Sequence, residues 1–244
     1  RKASVNAKYA RHISAFISPS GGDGVLMAED SQRKTTLLSL EAQYYRAMIS
    51  SEWGAEHLRN NYGTFWSGAG CRDISVALPY SHVLAHAATQ SEQIMMLSNQ
   101  DAAAIRVWAR DTSTGSMQLH TVSVEGQVTY PLGPFTGYMD KGLEAKLFQM
   151  REASLPSETG GILLGYWDFN VNSLVVVDAL PAPSDSVSDR ESFVRGTEGL
   201  LDALNEVQRR TAGVVGYVGE WHSHPKGVRA QPSPDDLVQL VTLA

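Results

Sequence analysis

Apolar residues recur at helical spacing in four stretches of the chain. Residues 36–49 place Leu37, Leu38, Leu40, Tyr44 and Met48 near one side, and residues 80–97 repeat this with Val83, Leu84, Ala87, Ile94 and Met95. Residues 142–153 carry Leu143, Ala145, Leu147, Phe148 and Met150, and residues 197–210 carry Leu200, Leu201, Leu204 and Val207. Each pattern predicts a helix with one apolar face, because side chains three and four apart share a face. Residues 104–108 and 119–124 alternate like strands and are expected to pair. The apolar runs 160–167, 173–180 and 214–221 have the length and composition of buried strands, 192–194 predicts a short further strand, and 234–243 begins another helix. Two runs of turn residues interrupt the pattern, at 18–24 (Ser-Pro-Ser-Gly-Gly-Asp-Gly) and at 130–134 (Tyr-Pro-Leu-Gly-Pro).

The second run divides the chain into a mixed α/β part, residues 1–130, and a part in which helices and strands alternate, residues 133–244. The latter predicts a three-layer α/β domain. Hydrophobic content is 43% and charged content 19% of 244 residues, ordinary for folded protein, and no internal repeat is evident. The net charge of −6 argues against a nucleic-acid binder or an anionic-membrane binder, since phosphate contacts need clustered Lys and Arg. No apolar run approaches the ~20 residues needed to cross a bilayer, and no apolar segment follows Arg1-Lys2-Ala3-Ser4 to make a secretory signal. The one cysteine, Cys71, excludes an internal disulfide and fits a cytoplasmic setting. Leu243 and Ala244 fall inside the last expected helix, so that domain is expected to be truncated at its C-terminus.

The chemistry concentrates at Gly219-Glu220-Trp221-His222-Ser223-His224-Pro225 and at Ser233-Pro234-Asp235-Asp236. Residues i and i+2 of an extended segment point to the same side, so His222 and His224 present two imidazoles together at a strand end. Neutral imidazole is a good zinc ligand, and Asp236 in the first turn of the next helix is close enough in chain to add an oxygen. Two histidines and one carboxylate leave a coordination position open, the pattern of a catalytic zinc site. Taken alone, His-x-His is a weak signal, and Ser233 to Asp236 is also a well-formed helix start. Glu220 shares the strand parity of His222 and His224, which makes it a candidate hydrogen-bonding partner behind the ligands.

These segments resemble the JAMM motif of MPN/JAB-domain metallopeptidases: His-x-His, a loop, then Ser-x-x-Asp, with a glutamate upstream. His222, His224, Ser233 and Asp236 match it, and Glu158 before the apolar run 160–167 matches the upstream glutamate. Eight residues separate His224 from Ser233, one more than the family's usual spacing. The resemblance implies an MPN/JAB fold, a mixed sheet flanked by helices. It implies Zn2+ on His222, His224 and Asp236, Glu158 as general base, and Ser233 as donor to the oxyanion. It also implies cleavage after the C-terminal tail of a ubiquitin-like protein or its conjugate, in the manner of bacterial JAB peptidases found beside conjugation enzymes, including those of antiphage operons. An extended tail could add to a sheet edge, at 173–180 or at 192–195.

Residues 62–110, with Gly68-Ala69-Gly70-Cys71-Arg72-Asp73, are similar to the C-terminal part of ThiF/E1-like adenylating enzymes. That likeness implies a remnant or partial activating-enzyme domain in residues 1–130, and E1- or E2-like enzymes as partners. No Gly-x-Gly-x-x-Gly follows a strand, so adenylation by this chain alone is not expected. A thioester role for Cys71 is weighed against a small buried residue, and the buried reading is preferred. His82 and His86, four apart on one helical face, read as packing or surface histidines. The alternatives to an enzyme are a non-catalytic MPN-like scaffold and a regulatory part of an activating enzyme.

Overall fold

The computed structural model describes residues 10–59, 64–66 and 74–228. In chain order these form β1 (Ile13–Ile17), β2 (Asp23–Ala28), α1 (Leu37–Ser50), a 3-10 turn (Glu52–Ala55), β3 (Thr64–Trp66), β4 (Ile74–Val76), α2 (Tyr80–Ser98), β5 (Ala104–Arg110), β6 (Met117–Val122), β7 (Gln127–Leu132), β8 (Phe135–Asp140), α3 (Lys141–Ser154), β9 (Thr159–Asp168), β10 (Ser173–Ala179), β11 (Val187–Ser188), β12 (Phe193–Val194), α4 (Leu200–Arg210) and β13 (Gly216–Ser223). One sheet runs β1-β2-β5-β6 and is antiparallel. A second, mixed sheet runs β13-β9-β10-β8-β7, with β10 parallel to β8 and the other pairs antiparallel. The mixed α/β class is as the sequence implied, and β5 pairs with β6 as expected.

Alternation along the strands sets the layering. On β2 and β5, Val25, Met27, Ile105 and Val107 face one core cluster, while Leu26, Ala28 and Trp108 face a second one that α2 covers through Leu97. On β9 and β10, Ile162, Leu164, Val175 and Val177 join the first cluster, while Val176 and Ala179 face a third with Leu143 of α3. Helix α1 supplies Leu38, Leu40, Tyr44, Tyr45 and Met48 to the first cluster and thus lies between the two sheets, with Val207 of α4 beside it. The order of layers is α2, four-stranded sheet, α1, five-stranded sheet, α3.

Polar groups fix α1 in this sandwich. Buried Glu29 accepts from the Leu37 amide at 2.9 Å, and Arg210 of α4 donates to the carbonyls of Met48 and Ser51 at the other end, groups a helix leaves unpaired. Arg46 forms a two-pronged pair with buried Asp140, 2.7 and 2.8 Å, and also donates to the Val177 carbonyl. Asp140 in turn caps α3 by accepting from the Leu143 amide.

The run 130–134, read from sequence as a domain boundary, is the end of β7 and its turn into β8 and so lies within the five-stranded sheet. Pro131 is tolerated there because β7 is the outer strand, where a missing N–H breaks no interior ladder. The run 18–24, read as a loop, turns β1 into β2, closed by the Ser18 amide donating to Asp23 O at 2.8 Å. Among the described residues no helix is long and apolar enough to cross a membrane.

Candidate active site

Strand register, not chain proximity, assembles the site. β13 runs antiparallel to β9, with His222 opposite Gly160 and Ser223 opposite Thr159. The residue before β9 is Glu158, so its carboxylate meets His224 just beyond β13, although 66 positions separate them in sequence. His224 Nδ1 lies 3.1 Å from Glu158 Oε1. The His222 and His224 rings stand with centroids 4.9 Å apart and planes at 77°. Glu158 is 8% exposed, His224 is half-buried and His222 is exposed.

The close approach of β9 to its neighbours explains two glycines. A Cβ on Gly161 would stand 2.0 Å from the Leu180 carbonyl oxygen, and one on Gly160 would stand 2.5 Å from the Trp221 carbonyl oxygen and 3.0 Å from His222 Cβ. A register shift between Tyr217 and Gly219 marks a bulge in β13. One extra residue there turns the strand's parity, so that Tyr217, Glu220 and His222 are all exposed.

Several residues that the sequence did not single out hold this geometry. The Glu158 amide donates to the Asp189 carbonyl at 2.7 Å, in the turn between β11 and β12. Arg151, in the last turn of α3, donates from Nε to the His224 carbonyl at 3.1 Å. The buried Ser223 hydroxyl accepts from the Thr159 amide at 3.2 Å, tying the ends of the two strands. Arg151 carried one readable signal, a basic residue at a helix C-terminus. Asp189 carried none.

A cavity of about 540 Å³ opens beside the two histidines, walled by Met139, Leu147, Phe148 and Trp221. Its walls are mostly apolar, with Glu144, Arg151 and the two histidines as polar groups, which suits an extended chain whose reacting bond sits at the imidazoles.

Other predicted residues take different places. The Glu220 carboxylate is engaged by Arg195, at 2.7 and 3.2 Å, and by the Tyr217 hydroxyl at 3.4 Å. Ser233, Asp236, Cys71 and the expected helix at 234–243 lie outside the described residues. Among the described residues no group of three or more His, Cys, Asp or Glu could hold a metal ion. His82 donates from Nδ1 to the Gly21 carbonyl, 3.0 Å, and His86 is buried against Gly24, where desolvation pushes its ring pKa down. The segment 173–180 is not a free edge: β10 is flanked by β8 and β9, because its apolar residues on both faces are buried. β11 and β12 pair only with each other in a two-stranded sheet among the described residues.

Comparison with known proteins bears on this arrangement. Residues 140–244 match the model of a family described as prokaryotic homologs of the JAB domain. A "CD-NTase/cGAS isopeptidase" of Enterobacter hormaechei subsp. hoffmannii (strain UCI 50) is 40% identical over 88 residues, 36% of this chain and 47% of that protein. A "Probable metalloprotease y4qB" of Sinorhizobium fredii (strain NBRC 101917 / NGR234) is 32% identical over 86 residues, 35% of this chain and 52% of that protein. The match thus spans about half the length of these curated relatives. These similarities support a JAB-type peptidase domain in the second part of the chain, and the mixed sheet with its flanking helices is consistent with one.

Proposed function

We propose that the JAB-type domain is a zinc-dependent peptidase or isopeptidase that cleaves after the C-terminal tail of a ubiquitin-like protein, in deconjugation or precursor processing. The observation that carries the reading is the convergence of Glu158, His222 and His224 at the paired ends of β9 and β13, beside an apolar cavity.

The donor set fits a metal. With the Glu158 carboxylate accepting from Nδ1–H of His224, that ring's Nε2 keeps its lone pair, the arrangement by which a carboxylate orients a ligating imidazole. His222 and His224 would hold the ion, with Asp236 as the expected third ligand. A zinc ion there supplies Lewis acidity and lowers the pKa of water toward neutrality.

The remaining chemistry belongs to the chain. Glu158, fixed at its amide by Asp189 and shielded from solvent, takes a proton from the attacking water and returns it to the leaving amine. Arg151 and Ser223 hold the backbone on either side of His224, so the rings keep their mutual angle. Ser233 is the expected donor to the tetrahedral oxyanion. The substrate tail adds to the exposed edge of the β11–β12 hairpin, its extended backbone pairing with the strand. The assignment of residues 1–130 to an E1-like remnant, a cytoplasmic location and a setting of ubiquitin-like conjugation with E1- or E2-like partners belong to the same proposal.

Incubating zinc-loaded protein with fusions that carry a ubiquitin-like protein's tail tests it. Cleavage immediately after the tail, abolished by chelation and by Glu158→Gln, is expected. Intact fusions from zinc-loaded wild type across a panel of such proteins would count against the substrate class.

A further inference from the structure

The connection from β10 to α4, residues 180–199, is a strap that touches the ends of β9 and β13 at the site. Its two strands are two residues each. Val187 and Val194 are 68% and 61% exposed, so apolar burial does little to anchor it. A lone two-stranded hairpin is marginal in water, and polar ties must decide where this one sits.

Those ties occur at three levels. At the base, Asp185 accepts from the Thr197 and Glu198 amides at 2.9 and 3.0 Å, and Ser186 accepts from the Gly196 amide at 2.9 Å. At the tip, Asp189 closes the turn by accepting from the Glu191 and Ser192 amides, while its carbonyl accepts from Glu158 N. Between them, Arg195 donates twice to Glu220 Oε1 on β13, two residues before His222. The Phe193 ring sits over Gly160, its Cε1 2.6 Å from where a Cβ would stand. The strap therefore bridges the two halves of the site, the Glu158 amide and the strand bearing His222.

We propose that Arg195 is a positioning residue: its ion pair with Glu220 sets the strap against β13 so that the Asp189 carbonyl holds Glu158 in place. The proposal deepens the peptidase reading and rests on it for the catalytic consequence alone. An ion pair that is partly exposed adds little to global stability, so removing it should loosen the strap and leave the fold. The guanidinium's two bonds converge on one carboxylate oxygen, a geometry lysine cannot reproduce.

The test is hydrogen exchange at the Glu158 amide, in full-length wild type, Arg195→Ala, Arg195→Lys and the charge swap Arg195→Glu/Glu220→Arg. The expected result is exchange roughly 10-fold faster in Arg195→Ala, an intermediate rate in Arg195→Lys and near-wild-type protection in the swap, with the Val107 amide of the far sheet unchanged. Added salt should speed exchange in wild type and not in Arg195→Ala. For the zinc-loaded enzyme, kcat/KM should fall several-fold with metal content unaltered. Unchanged Glu158 exchange in Arg195→Ala, or equal loss of protection at Val107, overturns the proposal. Faster exchange in a protein that cleaves nothing would uphold the positioning role and remove the peptidase reading.

Discussion

Replacing Arg46 by Met should destabilise the whole chain, although Arg46 lies far in sequence from residues 140–244, which match the JAB-domain family model. Arg46 holds Asp140 through two bonds of 2.7 and 2.8 Å, and Asp140 is 1% exposed. Methionine fills much of the same volume but leaves the carboxylate without its cation, with the Leu143 amide as its remaining donor. Removing one partner of a buried pair costs about 3–5 kcal/mol, because the other charge is stranded in a low dielectric. For a chain of this size each kcal/mol lowers Tm by about 2–4 °C, so a fall of roughly 6–20 °C is expected. Thermal melts followed by circular dichroism read this directly. The double variant Arg46→Met/Asp140→Asn should recover a good part of the loss, since the stranded charge is gone. A fall of less than about 2 °C in the single variant would refute the reasoning and mean that water already solvates Asp140. The same pair predicts that the two parts unfold together, because α1 is packed against both sheets in one core cluster.

Three further outcomes follow from named contacts. Glu158→Gln keeps an acceptor for His224 and should retain metal while kcat falls by about 10²–10⁴, the usual worth of a general base; activity above a tenth of wild type would contradict that role. Glu206 is pulled down to about 2 by hydrogen bonds from Arg209 and Arg210. Its contribution is therefore full above the ordinary carboxylate range and lost as pH falls through about 2. The Tm difference between wild type and Glu206→Gln should shrink toward zero over that acid window, and a difference constant with pH would count against it. Gly161→Ala sets a methyl against the Leu180 carbonyl and should cost about 1–3 kcal/mol through forced backbone movement, whereas an unchanged melt would show that the strands can part freely.

Much of the architecture is readable from periodicity because burial is one-sided or two-sided in ways that sequence records. The four helices of the described residues and the runs that became β9, β10 and β13 lie within a few residues of their expected places. β1 and β2 were not legible, since Ser14 and a glycine-rich turn interrupt the pattern of short strands. β7 and β8 were hidden because Pro131, Gly133 and Pro134 look like a break, yet an outer strand and a tight turn accommodate all three. The histidine pair was legible because its spacing is local. The contact of Glu158 with His224 depends on the register of β13 against β9, and only the family resemblance pointed to it. Arg151, Asp189 and Arg195 act through backbone groups or across strands, and no local pattern in a single sequence records such partnerships.

The central claim is that His222 and His224 hold a catalytic metal, and elemental analysis tests it most directly. Wild type and His222→Ala/His224→Ala should be purified side by side, stripped, reconstituted with zinc and freed of excess. About one zinc per chain in wild type, absent from the double variant with its fold intact, is the expected result. Wild type that takes up no zinc, or a double variant that keeps a full equivalent, would contradict the account.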